Sequence, residues 1–451
     1  MSDIIAAIAT GRAPCAIGIL RLSGPGCAAL TGRVFTPKQP FADAPDRRLV
    51  LGLLHDRQGR VIDECLGVVC RAPHSYTGEE TVELQCHGSP AMLAAGLEAL
   101  LAAGARQAGP GEFTRRAFLN GKLDLTQAEA VVDLIDAETA DAAANAAGQL
   151  GGALKRAIEP VYDGLTDLCS HFHAVLDYPD EDIEDFGAAE LSGALDRAGA
   201  ALQELLATYE KGRHLRQGVR AVLLGKPNAG KSSLLNRLAG YDRVIVTDIA
   251  GTTRDTVEEP VRVGRVLLRL TDTAGIREAG DAIEALGVAR SEQAAREAEL
   301  ALFVCDASQP LTDEDRRAIE AAKCAPRSLA LCNKSDLPAA VSPDELPFDT
   351  VLTVSARTGA GLDALPALLE GWFLGGNACD GSLLTNPRQF GALDRASRAI
   401  ERAKTGLCLG VTPDAVLTDV EEAMAALGEV TGRTVREDIT NRIFERFCVG
   451  K

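Results

Sequence analysis

Short apolar runs of strand length and one helical stretch mark the first 120 residues of the chain. The runs extend from Ala16 to Leu22, from Leu66 to Arg71 and from Thr81 to Cys86, and apolar positions with helical spacing follow from Pro90 to Ala103. Short apolar runs are typical of strands, whereas apolar residues three and four apart are typical of helices. The pattern predicts a small α+β domain over residues 1–120.

Two long tracts rich in Ala and Leu have helical spacing, from Leu123 to about Arg216 and from Asn386 to Phe447. Between them apolar strands alternate with helices, which predicts a doubly wound sheet of parallel strands. The predicted strands are Ala221 to Leu224, Val266 to Leu270, Leu300 to Val304, Leu329 to Cys332 and Val351 to Val354. We therefore predict a multidomain fold of the α/β and α classes, in which one helical domain is formed from two separated tracts and an α/β domain is inserted between them. The predicted domains are residues 1–120, 121–216, 217–376 and 377–451.

Composition narrows the class of protein. The 451 residues are 46% hydrophobic and 25% charged, which is typical of a globular protein. Lys+Arg total 47 and Asp+Glu total 64, and the resulting net charge of −17 opposes a broad electrostatic grip on nucleic acid. A nucleic-acid contact should therefore be local or shared with a partner.

No window approaches the roughly 20 apolar residues of a membrane-spanning helix, and the N-terminus lacks a signal-peptide pattern, so we expect a cytoplasmic protein without membrane contact.

The twelve cysteines show no Cys-x-x-Cys pair and no Cys/His spacing typical of zinc sites. We predict neither a disulfide scaffold nor a metal site from them. Cys305 and Cys332 lie in or at the end of apolar strands and are expected to be inert core thiols.

A phosphate-binding loop is predicted at Gly225-Lys-Pro-Asn-Ala-Gly-Lys-Ser232, between the strand at Ala221 to Leu224 and a helical run. Glycines let backbone N–H groups turn toward phosphates, and the following helix N-terminus adds its positive end. Lys231 is expected to reach the β- and γ-phosphates, and the Ser232 hydroxyl to ligate Mg²⁺.

Three further motifs follow in the order found in GTPases. Asp272-Thr-Ala-Gly275 ends a predicted strand, where the aspartate can hold Mg²⁺ through water and the glycine N–H can sense the γ-phosphate. Asn333-Lys-Ser-Asp336 ends another, and its carboxylate can accept hydrogen bonds from guanine N1–H and the exocyclic amine. Ser355-Ala-Arg357 is similar to the loop whose backbone N–H meets the guanine oxygen. Together these motifs predict a Ras-like P-loop GTPase domain.

The residue after Gly275 is Ile276, whose aliphatic side chain cannot orient a water as the glutamine of Ras does. Glu278, Asp281 and Glu284 are the candidates to accept a hydrogen bond from the attacking water. The residues alone do not distinguish these three carboxylates.

Asn228 in the phosphate loop and the segment from Thr247 to Asp255 suggest a further source of positive charge beside the phosphates. An Asn amide oxygen together with backbone carbonyls can coordinate a monovalent cation where other GTPases place an arginine finger. We hypothesise potassium in this position, with Thr253 supplying the second Mg²⁺ hydroxyl. The alternative is that Asn228 only braces its own loop.

The flanking motifs carry a resemblance along essentially the whole chain. They are Gly18-Ile-Leu-Arg21-Leu-Ser-Gly24, Ser75-Tyr-Thr-Gly-Glu79, Glu83-Leu-Gln-Cys-His-Gly88, Pro110-Gly-Glu-Phe113, Arg116-Ala-Phe-Leu-Asn-Gly-Lys122-Leu-Asp-Leu and Phe447-Cys448-Val-Gly-Lys451. With the GTPase motifs they resemble the MnmE (TrmE) family of tRNA uridine modification GTPases, which are Era-like P-loop GTPases. The segment from Ala9 to Ile17 departs from the family, because it lacks the usual Pro-Pro-Gly-Arg-Gly-Gly run.

The resemblance implies a dimerising N-terminal domain that binds tetrahydrofolate in its 5,10-methylene or 5-formyl form. It implies a potassium-activated GTPase that uses GTP and Mg²⁺ and acts as a homodimer. It further implies a heterotetramer with the flavoprotein MnmG (GidA), which brings FAD and NADH. Together they add an aminomethyl or carboxymethylaminomethyl group to C5 of the wobble uridine of certain tRNAs.

Matching motifs carry the family's site residues onto this chain. The folate positions are Arg21, Glu83, Lys122 and Lys451, and the potassium ligands are Asn228, Thr247, Ile249 and Thr252. Glu284 matches the catalytic glutamate, which separates it from the other two carboxylates, and Cys448 is a further candidate. Asp272 and Lys231 complete the predicted catalytic set. The predicted nucleotide and ion contacts are Asn228, Ala229, Gly230, Lys231, Ser232, Ser233, Thr247, Asp248, Ile249, Ala250, Gly251, Thr252, Thr253, Asp272, Thr273, Ala274, Gly275, Asn333, Lys334, Asp336, Ser355, Ala356 and Arg357.

Two other functions compete with this interpretation. A regulatory GTPase that switches ribosome assembly or RNA binding would be expected to carry a basic RNA-binding module, and none is evident in the sequence. A free-standing folate-dependent transferase with an appended GTPase would need no flavoprotein partner.

Overall fold

The computed structural model describes residues 3–11, 13–37, 40–177, 188–241, 258–271, 284–375, 379–433, 443–444, 447 and 449–450. Contacts divide the chain into two compact units. The first unit comprises Met1–Val132, Leu150–Asp185 and Thr405–Lys451, and the second comprises Asp133–Gln149 and Phe186–Lys404. The domain boundaries expected from the sequence remain predictions.

The strands of the described chain, in order, are Ile5–Ile8 (β1), Cys15–Ser23 (β2), Phe35–Pro37 (β3), Val50–His55 (β4), Val61–Cys70 (β5), Thr81–Gly88 (β6), Arg106–Gln107 (β7), Val219–Leu224 (β8), Glu258–Val263 (β9), Val266–Thr271 (β10), Leu300–Asp306 (β11), Arg327–Asn333 (β12) and Val351–Thr353 (β13). The helices are Cys27–Thr31 (α1), Pro90–Ala102 (α2), Glu112–Leu119 (α3), Leu125–Ile135 (α4), Ala140–Leu150 (α5), Ala153–Asp177 (α6), Ala188–Ala207 (α7), Tyr209–Gln217 (α8), Lys231–Tyr241 (α9), Glu284–Glu297 (α10), Asp313–Ala322 (α11), Ala364–Phe373 (α12), Pro387–Cys408 (α13) and Pro413–Thr431 (α14).

The first unit contains a seven-stranded sheet in the order β3-β4-β5-β6-β2-β1-β7. Its pairs are antiparallel except for β1 with β7. Helix α2 packs on the face of this sheet, where Leu93 and Leu100 join a core that includes Leu20 and Leu84. The three predicted strands and the predicted helix of this region are confirmed. The short helices α1 and α3 were not predicted, because so few turns give little periodicity to detect.

Helices from the two predicted helical tracts contact each other. In the first unit, α6 lies against α14, where the Cys169 thiol is 3.4 Å from the sulfur of Met424 and His173 is 3.2 Å from Glu421. In the second unit, Lys404 at the C-terminal part of α13 pairs with Asp196 of α7 at 2.8 Å. Residues separated by more than 200 positions therefore pack together, as a domain built from two tracts requires.

The second unit contains a six-stranded sheet in the order β13-β12-β11-β8-β10-β9. All five predicted strands are confirmed, but β9 pairs antiparallel with β10, so the expectation of an all-parallel sheet is wrong at this edge. Val263 pairs with Val266 across a tight turn in which Gly264 has a φ of 61°. So short a connection reverses the chain and can only produce an antiparallel pair.

Strand β11 lies at the centre of the second sheet and is buried along its whole length. Leu300, Leu302 and Val304 point into one apolar core, whereas Phe303 and Cys305 point into another. Alternate side chains of a strand face opposite sides of the sheet, so two cores on one strand mean that both faces are covered. The predicted doubly wound architecture is confirmed.

Candidate nucleotide and folate sites

The phosphate loop joins the carboxyl end of β8 to the first turn of α9. Gly225 and Gly230 have positive φ angles of 145° and 98°. A Cβ atom would collide with the carbonyl of Val304 at the first position and with the side-chain amide of Asn333 at the second. Asn228 also has a positive φ, of 62°, which few residues other than glycine tolerate well. The loop thus has the backbone geometry that its glycine spacing predicts.

The Lys231 ammonium group lies inside the phosphate loop. It donates hydrogen bonds to the carbonyl of Gly225 and, at 2.9 Å, to the carbonyl of Lys226. Ser232 and Ser233 follow it in the first turn of α9 and are exposed. This places the lysine and the two hydroxyls at the positive end of the helix, where phosphate oxygens bind.

An ion pair beneath the loop was not predicted from the sequence. Lys226 Nζ lies 2.8 Å from Asp315 Oδ2, and the Asp315 side chain is fully buried. The same oxygen accepts hydrogen bonds from the backbone N–H and hydroxyl of Thr312, which caps α11. Because the partners are 89 positions apart in the sequence, no local motif could have revealed the pair.

Asn333 connects the phosphate loop to the predicted guanine-binding loops. Its buried side-chain amide donates to the carbonyl of Ala229 at 2.9 Å, and its side-chain oxygen accepts from the N–H of Ala356 at 2.9 Å. This one residue therefore fixes the distance between the predicted phosphate and base sites. The N–H of Ala356 is used by Asn333, so the guanine oxygen needs another N–H of the same loop.

Two neighbouring side chains hold the Asp336 carboxylate, which the sequence predicts to recognise the guanine base. One oxygen accepts from the Ser355 hydroxyl at 2.6 Å and the other lies 2.7 Å from the Arg357 guanidinium. The hydrogen bond from Ser355, together with the charge of Arg357, lowers the pKa of Asp336. The group is therefore ionised at neutral pH and can accept the two hydrogen bonds that guanine offers.

Lys334, within the same motif, has a φ of 66° and donates to Asp306 Oδ2 at 2.6 Å. Burial raises the pKa of Asp306, but hydrogen bonds from Lys334 and Ser308 outweigh it and leave the pKa below its ordinary value. A cleft of about 480 Å³ opens between these residues, Lys226 and Asn228. Its position beside the phosphate loop suits a nucleotide.

Several predicted residues lie outside the described part of the chain. For the nucleotide and ion sites they are Thr247, Asp248, Ile249, Ala250, Gly251, Thr252, Thr253, Asp272, Thr273, Ala274 and Gly275, and at the C-terminus they are Cys448 and Lys451. Glu278 and Asp281 also lie there. Glu284 begins α10, but its side chain is outside the description. The roles predicted for these residues remain predictions.

The predicted folate residues Arg21 and Glu83 lie directly opposite each other on β2 and β6. Arg21 Nε is 2.8 Å from Glu83 Oε1. The guanidinium carbon also lies 5.7 Å from the ring centres of Tyr76 and Phe113. A charged pair with aromatic rings beside it suits a ligand that has both a flat ring system and a carboxylate tail.

Residues 449–450, near the C-terminus, lie close to the pair formed by Arg21 and Glu83. Val449 forms a β-bridge with Pro110, and the carbonyl of Gly450 accepts a 3.4 Å hydrogen bond from Arg21. Lys122 is exposed and donates to the carbonyl of Pro73 at 3.2 Å, so it shares no bond with the Arg21 pair. The sequence motif that contains Tyr76 indicates no role for this residue, because its closeness to Arg21 depends on the folded arrangement of the domain.

Comparison with known proteins decides the family. A model described as "GTP-binding protein TrmE N-terminus" matches residues 4–122, and one described as "MnmE helical domain" matches residues 125–448. A protein of Roseiflexus sp. (strain RS-1) named tRNA modification GTPase MnmE is 45% identical, over 100% of this chain and 99% of its own length. The chain belongs to the MnmE family. MnmE proteins of Chloroflexus aurantiacus and Aquifex aeolicus are 43% and 41% identical, each over the full length of both chains.

Proposed function

We propose that this chain is a GTP hydrolase that acts in tRNA modification, as its MnmE relatives are named. The observation that carries the proposal is the double hydrogen bond of Asn333, which joins the phosphate loop to the loop beside Asp336. Connected phosphate and guanine sites suit GTP, whereas adenine lacks the pair of donors that the Asp336 carboxylate would accept. The finer proposal is the addition of an aminomethyl or carboxymethylaminomethyl group to C5 of the wobble uridine of certain tRNAs.

Different residues of the site have different roles in GTP hydrolysis. Lys231 exchanges its bonds with the loop carbonyls for bonds to the β- and γ-phosphates, which neutralises charge as it develops. Ser232 and Thr253 would hold Mg²⁺, with Asp272 acting through water. When bound, the Mg²⁺ ion stabilises charge on the phosphate oxygens. Glu284 orients and deprotonates the attacking water, the task for which Ile276 is chemically unsuited.

Potassium activation is supported by the position of Asn228. Its side chain is exposed beside the cleft, and within the described residues it makes no hydrogen bond that would brace its own loop. The amide oxygen can therefore join Thr247, Ile249 and Thr252 around a monovalent cation. Such a cation supplies the positive charge that an arginine finger supplies elsewhere.

We predict that GTP hydrolysis is at least about tenfold faster in KCl than in NaCl of equal ionic strength, since charge aimed at the transferring phosphate is a large part of catalysis. Asn228→Ala removes most of this difference, whereas Asn236→Ala, an exposed asparagine on α9, leaves it intact. Phosphate release assays measure the hydrolysis rates of the unaltered chain and of both variants in the two salts. Equal rates in the two salts for the unaltered chain contradict potassium activation.

Folate binding is supported by the Arg21 and Glu83 pair, the Tyr76 ring and the nearby C-terminal segment. We predict that Arg21→Gln weakens binding of 5-formyltetrahydrofolate by about tenfold or more, because a hydrogen bond between charged groups is worth about 1.5–3 kcal/mol. Arg57→Gln, an exposed arginine of the same domain, should not change it. Isothermal titration measures the affinities. An unchanged affinity in Arg21→Gln removes Arg21 from the site.

A homodimer is supported by exposed apolar side chains on the N-terminal domain. Leu51 and Leu53 alternate on β4 and are 54% and 37% exposed, and Ile17 on β2 is 61% exposed.

The net charge of −17 supports a shared tRNA contact, in which MnmG supplies tRNA affinity as well as FAD and NADH. Native mass spectrometry tests the homodimer and the complex with MnmG. We expect two copies of the chain when it is alone, and two copies of each chain in a mixture with MnmG. A monomer that never joins MnmG contradicts this proposal.

The cytoplasm is the proposed location, as expected for an enzyme that meets tRNA. Among the described helices, none combines the length and apolar character that crossing a bilayer demands.

A further inference from the structure

Two thiols and a carboxylate converge inside the N-terminal sheet. Asp63 and Cys65 lie on β5, Cys86 lies on β6, and one ligand atom from each is within 4.8 Å of the other two. The cysteines are 4% and 3% exposed, and the Asp63 side chain is 8% exposed. None of the three residues takes part in the proposed GTP or folate sites.

The register of the sheet explains this convergence. Leu66 of β5 lies opposite Gln85 of β6, so the next step of the antiparallel ladder brings Cys65 to Cys86. Residues two apart on a strand share a face, so Asp63 lies on the same side as Cys65. The sequence predicted no metal site because the cysteines lack the local spacing of metal ligands. Cys65 and Cys86 are 21 positions apart, on different strands, so local spacing could not indicate this cluster.

We propose that Asp63, Cys65 and Cys86 bind one Zn²⁺ ion. Thiolate and carboxylate are ordinary zinc ligands, at about 2.3 Å for sulfur and about 2.0–2.2 Å for oxygen. Ligands at those distances around a tetrahedral ion lie about 3.5–3.8 Å apart. The three atoms reach that spacing by small side-chain rotations, because they already lie within 4.8 Å of one another. A water molecule completes the four ligands.

His87 acts on the site through Asp63. Its backbone N–H donates to Asp63 Oδ2 at 2.8 Å, and its ring Nδ1 lies 2.7 Å from Asp63 Oδ1. Each carboxylate oxygen has a second lone pair, so the bonds to His87 leave one for the ion. Carboxylate ligands of metals are commonly oriented by such partners. His87 is a positioning residue, and its 81% exposed ring marks the side open to solvent.

Binding of the ion requires proton release. Each thiol loses one proton as it forms a bond to the ion, so two protons leave per Zn²⁺ bound. The hydrogen bond with Cys65, together with burial, raises the pKa of the Cys86 thiol well above its ordinary value. Protons therefore compete with the ion, and affinity rises with pH.

The test uses the full chain, reduced and freed of metal by a chelator, and titrated with Co²⁺ as the probe. We expect one ion bound with the absorption of a four-coordinate site and a thiolate-to-cobalt charge-transfer band, displaced by Zn²⁺, with two protons released. Cys65→Ser and Cys86→Ala abolish the band. Cys27→Ser keeps it, since Cys27 is equally buried but bonds to the carbonyl of Glu80. His87→Ala weakens binding about tenfold to a hundredfold.

Two results overturn the proposal. One is Co²⁺ binding that is the same in the unaltered chain and in both cluster variants, with folding of the variants verified by circular dichroism and GTP binding. The other is a disulfide between Cys65 and Cys86 in the chain purified without oxidant, found by peptide mass mapping. Either outcome leaves the proposed GTPase function untouched, because the two sites share no residue.

Discussion

Replacing Asp336 by asparagine is expected to change the preferred nucleotide from GTP to xanthosine triphosphate. The carboxylate accepts hydrogen bonds from guanine N1–H and from the amine at C2. A carboxamide repels that amine but donates to the carbonyl that xanthine carries at C2. Two hydrogen bonds to a charged group, at about 1.5–3 kcal/mol each, predict that GTP affinity falls roughly a hundredfold or more.

Fluorescence titration with labelled GTP and labelled xanthosine triphosphate measures this exchange. Asp349→Asn is the matched control, because Asp349 is an exposed carboxylate in the loop before β13. We expect this control to prefer GTP as the unaltered chain does. Loss of GTP binding in Asp336→Asn without gain of the xanthine nucleotide would mean that Asp336 only stabilises the loop through Ser355 and Arg357.

Replacing Asp315 by alanine is expected to reduce the free energy of unfolding by about 3–5 kcal/mol, the cost of leaving one charge of a buried pair unpartnered. The partner, Lys226, has a side chain only 10% exposed, and Asp315 is fully buried. The double variant Lys226→Met with Asp315→Ala should recover much of the loss, because it leaves no isolated charge. Asp313→Ala, on the exposed first turn of the same helix, should change stability little.

Trp372 reports on this transition directly. It is the chain's one tryptophan, and it lies on α12 against the apolar core of the same sheet. Urea unfolding followed by its fluorescence therefore gives the stability of the part that contains the ion pair. An Asp315→Ala transition that coincides with that of Asp313→Ala would show that the pair contributes nothing.

The sequence predicted those parts of the site that depend on neighbouring residues. The phosphate loop was recognisable because its glycines need fixed spacing, and Gly225 and Gly230 have the positive φ angles that this spacing implies. The two cores on either side of β11 follow from alternating side chains in an apolar run. In these cases the physical cause lies within a few residues of its effect.

Contacts between distant residues were beyond this reasoning. The hydrogen bond from Asn333 to Ala229 spans 104 positions, and the approach of Cys65 to Cys86 depends on strand register. Neither leaves a mark in local spacing. The antiparallel edge strand β9 was missed for a different reason, because an apolar run shows that a strand exists without showing its direction. Family resemblance supplied Arg21 and Glu83, and strand pairing then brought them together.

The family assignment also separates the candidate functions. The two family models that match residues 4–122 and 125–448 carry the names TrmE and MnmE, which favours tRNA modification over a ribosome-assembly switch. The remaining distinction is chemical, between a GTPase that takes part in tRNA modification with a flavoprotein and a folate-dependent transferase that works alone.

Mass spectrometry of nucleosides from total tRNA tests the central claim most directly. Cells that lack this protein should lose the uridines with aminomethyl-type groups at C5, and the unaltered chain should restore them. Asp336→Asn should not restore them, because its GTP site is impaired. An unchanged nucleoside profile in cells without the protein would contradict the account and favour a GTPase that only switches the state of a partner.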